Sequence, residues 1–254
     1  MTSLLRIHLL EIKYEFLKLL RLPQYALPTL VFPVFFYLFF GVGMGARSAN
    51  GVSLATYLIA TYGAFGVMGA SLFGFGVTVA LERGQGWLEV KRTTPMPISA
   101  YFAAKLAMAM LFSAVVVLLL FAVGMTLGGV HLTFAQALTM FAILVAGSLP
   151  FCALGLMLGY FTTPNSAVPI VNMIYMPMAF LSGLWVPVMA LPKPLQSFAA
   201  FLPPYHFSQL ALKVVGASRG TASSVHVLAM LAATALFLFL AWVGYRRDEG
   251  KLYG

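Results

Sequence analysis

The sequence predicts an all-α polytopic membrane protein with six transmembrane helices, an N-terminal interfacial amphipathic helix, and a broken re-entrant helical hairpin before the last span. Three observations carry this prediction. Of the 254 residues, 61% are hydrophobic and only 8% are charged, whereas a soluble domain carries about a quarter charged residues. A soluble core this apolar would leave too little polar surface to face water, so the apolar residues must face lipid. Between Lys105 and Lys193 there is no Asp, Glu, Lys or Arg, a stretch far too long for one helix, which crosses a bilayer in about 20 residues. Two turn signals, LGGVHLT at 127–133 and FTTPNSA at 161–167, cut that stretch into three spans.

Taken in order, the elements make a single transmembrane domain over 1–254. Residues 3–21 read as an amphipathic helix lying on the membrane: Leu5, Leu9, Ile12, Phe16 and Leu19 form the apolar stripe, with His8, Glu11, Glu15 and Lys18 on another face. Pro23 and Pro28 call for a break before the first span, 26–45. Arg47 and the short run after it make a tight outer loop. The second span, 54–81, is long enough to tilt, and its glycines allow close helix approach. Gly41 and Gly45, Gly124 and Gly128, and Gly155 and Gly159 each have GxxxG spacing, read here as packing within one chain. The most polar internal segment, 82–97, follows. The remaining spans are 98–127, 135–160, 168–185 and 227–245, with Lys105 about two turns inside the third and expected to snorkel to the interface. Residues 187–225 differ from the other connections, because five prolines forbid a continuous helix while the apolar content does not suit a solvated loop. Short helices dipping into the outer leaflet, sheltered by protein, satisfy both facts.

The net charge of +9 does not signal nucleic acid, because the basic residues sit at the ends of apolar segments. With six spans both termini share a side. Both are basic, so that side is cytoplasmic and the chain lies in the cell (inner or plasma) membrane. All six acids fall on the same side. No cleavable signal peptide is expected, since charges interrupt the first apolar run. The single cysteine, Cys152, lies in an apolar run and reads as a packing residue.

Two motifs stand in this frame. The first is ERGQGWLEVKRTTP, with Glu82, Arg83, Gly86, Trp87, Leu88, Glu89, Lys91, Arg92, Thr94 and Pro95. The second opens with Ser182, Gly183 and Pro187, continues through Pro192, and closes on Pro203, Pro204, Tyr205 and His206. Together with the order of spans, they resemble the permease subunit of type-2 ABC exporters, the drug, polysaccharide and lipid exporter class. In the first motif Trp87 stands where Thr is common in that family, and Lys91 where an apolar residue is common. The resemblance covers essentially the whole chain. It implies that 82–97 is a cytoplasmic coupling segment docking into a separate ATPase subunit, with Trp87 and Leu88 as apolar anchors and Glu89, Lys91 and Arg92 as a polar rim. It implies that the second motif forms the outer hairpin or gate. It also implies two ATPase copies, a second copy of this chain or a related permease, surrounding membrane lipid, and alternating access.

The chain has no GxxxxGK[ST]; Gly41-Val-Gly-Met-Gly45 lacks the Lys-Ser/Thr and sits in an apolar run, so ATP and Mg would be bound by the partner and no cofactor by this chain. An integral membrane enzyme would need convergent acid, base or metal ligands. His8, His131, His206 and His226 are scattered, which leaves catalytic and metal sites both at none. An ion-coupled secondary carrier usually keeps ionisable groups within the membrane, and only Lys105 qualifies. Thr61, Tyr62, Ser71, Thr78, Asn172 and Tyr175 could line a path, although interhelical hydrogen bonding is their commoner use. The charge-poor interior favours a hydrophobic or amphipathic, drug-like or lipid-linked substrate.

Overall fold

The computed structural model describes residues 2–44, 48–87, 90, 93 and 97–252. Helix α1, Thr2–Leu20, stops ahead of Pro23, which opens α2, Pro23–Phe36. A proline costs little there, because the first amides of a helix have no intrahelical partner. The break thus falls before the first span as expected, but Pro28 lies inside α2 instead of marking the break. Helix α2 runs on as a π turn, Tyr37–Val42. The outer loop is a two-stranded ribbon, β1 Ser48–Ala49 against β2 Val52–Ser53, and is the one departure from an all-helical fold among the described residues. Asn50 and Gly51 turn it, both with positive φ (50° and 83°), as a two-residue hairpin requires. Arg47 lies outside the described residues.

The second span is one helical run built from α3 (Leu54–Ser71), a π turn (Leu72–Val77) and α4 (Thr78–Gly84). The third is α5, Ile98–Thr126. The expected span 135–160 falls within one apolar run, Phe134–Phe161, built from two helices, α6 (Phe134–Ala146) and α7 (Leu149–Phe161), with a turn at Gly147–Ser148. Pro150 has no N–H with which to continue the ladder of α6. Helix α8, Pro164–Leu181, is followed by a 3-10 turn at Val188–Ala190, then α9 (Lys193–Ala199), α10 (Pro203–Val214) and the long α11 (Ser223–Leu252).

Five runs are long and apolar enough to cross a membrane: Tyr25–Val42, Leu54–Gly84, Ser99–Thr126, Phe134–Phe161 and Ser223–Asp248. Helix α8 is not among them; Asn165, Asn172 and three prolines dilute its apolar character. It still runs from one end of the bundle to the other. Pro164 packs against Gly84 at one end, and Trp185, just past the other, accepts a hydrogen bond from Tyr62.

The second span is the axis of the bundle, with 89% of its apolar window buried against 17% for the last span. Its glycines are the reason it can be surrounded so closely. A Cβ on Gly76 would sit 2.7 Å from the carbonyl oxygen of Gly155, and one on Gly159 would sit 3.0 Å from the carbonyl oxygen of Gly76. Gly124 meets Ile59 and Tyr37 in the same way. At these positions the GxxxG spacings serve contacts within the chain.

Candidate functional site

The end of the bundle that carries α1 is held by a buried cluster of charges. Lys105, one and a half to two turns into α5, is fully buried. Its ammonium donates to the carboxylates of Glu15 on α1 and Glu82 on α4 (2.9 Å to Glu82), and to the Thr78 hydroxyl at 3.0 Å. Lys18, one turn after Glu15, also donates to Glu82. Tyr101 donates to the other Glu82 oxygen at 2.6 Å. Burial opposes the charged form of Lys18, but the carboxylates of Glu82 and Glu15 outweigh it and hold its pKa above the ordinary lysine value. The cluster is neutral, with two cations for two carboxylates, and the Lys105 ammonium has all three of its protons accepted. Such a cluster persists in an apolar bundle only when nothing in it is left unpaired.

These contacts correct one expectation. Lys105 does not snorkel, because partners on α1 and α4 reach it inside the bundle. Glu15, on the face of α1 away from the apolar stripe, is 5% exposed beneath α5. The sequence signal for both was a single lysine in a charge-poor span, a residue that needs a partner. Its partner Glu15 is 90 residues away.

Arg83 anchors the same end on the other side of α4. Its guanidinium donates to the backbone carbonyls of Tyr160 and Thr162 and to Asp248 of α11, the last at 3.0 Å. The carbonyls at the end of α7 have no intrahelical amide, and a cation is the partner they favour. Helices α1 and α11 are therefore both tied to α4 at one end of the bundle, by Glu15 and by Asp248.

Directly after this anchor the chain turns away. Gly86 has φ +75° and donates its N–H to the Arg83 carbonyl at 3.1 Å, the left-handed position that ends a helix. Trp87 begins a new helical turn, closed by Val90 N–H to the Gly86 carbonyl at 3.2 Å. Trp87 and Val90 are each 53% exposed. Leu88, Glu89, Lys91, Arg92, Thr94 and Pro95 lie outside the described residues.

The second motif caps the opposite end. Ser182 closes α8 with its N–H on the Met178 carbonyl, and Gly183 takes φ +76°, where a Cβ would strike Val188. Pro187 leads into the 3-10 turn, Pro192 precedes α9, and Pro203 and Pro204 open α10. The prolines thus stand at the starts of short helices and a 3-10 turn, where a missing N–H costs little. Tyr205 is buried with Val188, Leu191 and Ala199. His206 meets His226 of α11, Nδ1 to Nδ1, at 2.8 Å, and its Nε2 lies 2.9 Å from the Ala200 carbonyl. A carbonyl only accepts, so Nε2 of His206 carries the proton and its Nδ1 accepts from His226. Burial lowers the His206 pKa, with the Ala200 hydrogen bond opposing it.

Between the two ends lies a cavity of about 420 Å³. Tyr25, Thr29 and Phe32 of α2 line it with Gly66, Gly69 and Thr78 of the second span and Asn172 and Tyr175 of α8. Toward the cap it is followed by an aromatic column. Tyr175 stacks on Phe65 (centroids 4.9 Å apart), Phe65 meets Trp185 edge-on (5.6 Å), and Trp185 stacks on Phe36 (5.8 Å). Of the six polar residues expected in spans, Thr78, Asn172 and Tyr175 reach the cavity. Tyr62 and Tyr175 make bonds between elements, to the Trp185 and Phe65 carbonyls, whereas Ser71 bonds back to Val67 of its own helix.

The family model of the ABC-2 type transporter matches residues 9–216, spanning α1, the charge cluster, the cavity and the cap. The chain belongs to the ABC-2 type transporter family. The chain is also 28% identical over 235 residues to a protein of Bacillus subtilis (strain 168) named "Putative transport permease YvfS", covering 92% of this chain and 95% of that protein. It is accordingly a multi-pass membrane transport permease, a transport subunit and not an enzyme. ABC-2 permeases generally work with an ATPase subunit, and the exposed Trp87 turn stands beside the charge cluster that fastens the N-terminal helix.

Proposed function

We propose that this chain is the permease subunit of an ATP-driven ABC-2 exporter, moving a hydrophobic or amphipathic substrate, drug-like or lipid-linked, out of the cytoplasm. The observation that carries this reading is the arrangement around Glu82 and Arg83. One short stretch of chain is clamped to α1, α5, α7 and α11, and it presents an exposed tryptophan within four residues of the clamp. A partner that grips Trp87 gains leverage on four helices at once. Hydrolysis takes place in that partner, which binds ATP and Mg, and this chain holds no cofactor. Two ATPase copies act on two permeases, the second being a copy of this chain or a relative, by alternating access.

Six spans, with α8 as the fifth, fit the way that α8 runs the length of the bundle. At 18 residues it reaches about 27 Å, close to the hydrocarbon thickness of about 30 Å. The bundle end with α1 and the Trp87 turn then faces the cytoplasm of the cell membrane, and the second-motif cap faces outward. The mostly apolar cavity supports an apolar or amphipathic substrate; the aromatic column closes its outward side.

The test is co-purification of the detergent-solubilised chain from native membranes. An ATPase subunit that is present with the intact chain and lost when 85–97 is replaced by a Gly-Ser linker supports the proposal. An ion-coupled secondary carrier has one observation in its favour, the buried Lys105–Glu82–Glu15 cluster, and would give sodium- or proton-dependent uptake with no ATPase partner.

A further inference from the structure

A second cavity, of about 690 Å³, opens between α6, the start of α7, α10 and α11. It shares no lining residue with the first, and nothing in the transport reading uses it. One wall is a stripe along α11, Ser223, Val227, Leu231 and Thr234, with Val227 44% and Leu231 59% exposed. Its base is the break between α6 and α7, where Phe207 of α10 lies so close that a Cβ on Gly147 would fall 2.1 Å from its ring. From Ser223 to Thr234 the helical rise makes the groove roughly 16 Å long, against about 15 Å for one hydrocarbon leaflet, half of the ~30 Å core.

The groove has one charged lining residue, Lys213, and it stands near the Ser223 end, at the cap. Its ammonium donates to the Thr221 carbonyl at 3.2 Å, a neutral acceptor. Among the described residues no carboxylate pairs with it. The acids whose side chains are described lie at the opposite end of the bundle or on α1, whereas the cap carries Lys193, Lys213 and Arg219. An apolar groove of one leaflet's depth with an uncompensated cation at its mouth matches a single ligand chemistry: an anionic headgroup above an acyl chain.

We propose that this groove is a binding site for one anionic phospholipid of the leaflet at the cap end, with its phosphate at Lys213 and an acyl chain along Val227 and Leu231. The chain packs across the gap left by the α6–α7 break and bridges α10 to α11, elements that meet at the His206–His226 contact.

The experiment is native mass spectrometry of the full chain in detergent, titrated separately with palmitoyl-oleoyl phosphatidylglycerol and with the phosphatidylcholine of the same chains. The expected result is one retained phosphatidylglycerol, bound about fivefold more tightly than phosphatidylcholine, the order expected for one basic residue at the headgroup. Lys213→Gln abolishes that preference while keeping the weaker phosphatidylcholine binding, and Leu231→Trp, which fills the groove, removes retention of both. Thermal unfolding of each variant verifies that it is folded, and Lys213→Arg restores the preference. Equal retention of the two lipids by the unaltered chain overturns the proposal. So does an unchanged preference in Lys213→Gln, or a Leu231→Trp chain that loses self-association yet still retains lipid, which would make the face a contact between copies.

Discussion

Replacing Lys105 with methionine tests the charge cluster most directly. The methionine fills most of the lysine's volume but removes the cation, leaving the Glu15 and Glu82 carboxylates facing each other at 5% and 8% exposure. Removing one partner of a buried pair costs about 3–5 kcal/mol, because the other charge stays buried. Lys18 remains within reach of both carboxylates, so the loss falls near the lower limit. About 3 kcal/mol corresponds to a fall in melting temperature of roughly 6–12 °C for a chain of this size. The assay is a size-exclusion thermal scan in detergent, with hydrogen exchange of 8–20 reporting release of α1. The double variant Glu15→Gln/Lys105→Met leaves Lys18 and Glu82 as a neutral pair and should melt higher than Lys105→Met alone. A single variant that melts within about 2 °C of the unaltered protein, where the scaling predicts several times that, would refute the claim that this cluster fastens α1 to the bundle.

Three further outcomes follow from the same geometry. Gly76→Ala drives a Cβ into the backbone of Gly155, which cannot rotate away, and should cost about 1–3 kcal/mol, read as a lower melting temperature. The same change at Gly51, with open space around it but φ +83°, costs only local backbone strain and should leave the contact between the 72–77 turn and α7 intact. The His206 pKa is lowered in the folded protein, so its contribution is present above the free-histidine pKa of about 6.5 and is lost as pH falls through the folded value. A second proton puts N–H against N–H at the His226 contact. Proteolysis within 187–222 should therefore rise on acidification from pH 7.5 to about 5.5, and His206→Gln should remove that dependence. Trp87→Ala should weaken ATPase binding by roughly 30-fold, as loss of a hot-spot anchor does, with the protein still folded in the membrane; unchanged binding and transport would remove Trp87 from the coupling role.

The helical, membrane-spanning class was legible because lipid imposes it through composition alone. The 3.6-residue stripe marked α1, and the prolines of 187–225 marked short helices, because each property is local. What was not legible depended on distant partners. Lys105 finds Glu15 across 90 residues, and His206 finds His226 only once the cap folds back on α11. The π turns at 37–42 and 72–77 and the break at 147–148 lie in uniformly apolar sequence, where glycine for close packing and glycine for a change of helical pitch look the same. The two proline-bearing ends of α8 also obscured its length, which begins four residues earlier than the expected span and ends before Trp185. Of the first motif, Glu82, Arg83 and Gly86 have structural reasons for being where they are, two as clamps and one as the left-handed turn. Trp87 has none among the described residues, and its 53% exposure is the reason to look for a partner.

The two ends of the molecule are held by different chemistry, and the difference bears on how it could move. At the α1 end every charge in the cluster has a counter-charge, and separating α1, α4 and α5 would strand ions in an apolar interior at several kcal/mol each. At the cap no ion pair is found among the described residues; the contacts there are a histidine pair, hydrogen bonds to neutral acceptors and stacked rings. Three polar atoms there or nearby, Thr61 Oγ1, Ser182 Oγ and Trp185 Nε1, are buried without a hydrogen-bond partner. A buried polar group left unpaired costs about 1–3 kcal/mol, so an arrangement of the cap that hydrates these three atoms recovers part of what it loses in packing. The α1 end is thus the more firmly held of the two. Force applied at Trp87 by the proposed partner would meet the clamped end first and be released where Trp185 stacks on Phe36, on the cap side of the cavity. With the cap facing outward, as proposed, the Phe36–Trp185 contact, 5.8 Å between ring centroids, is the place where opening would begin.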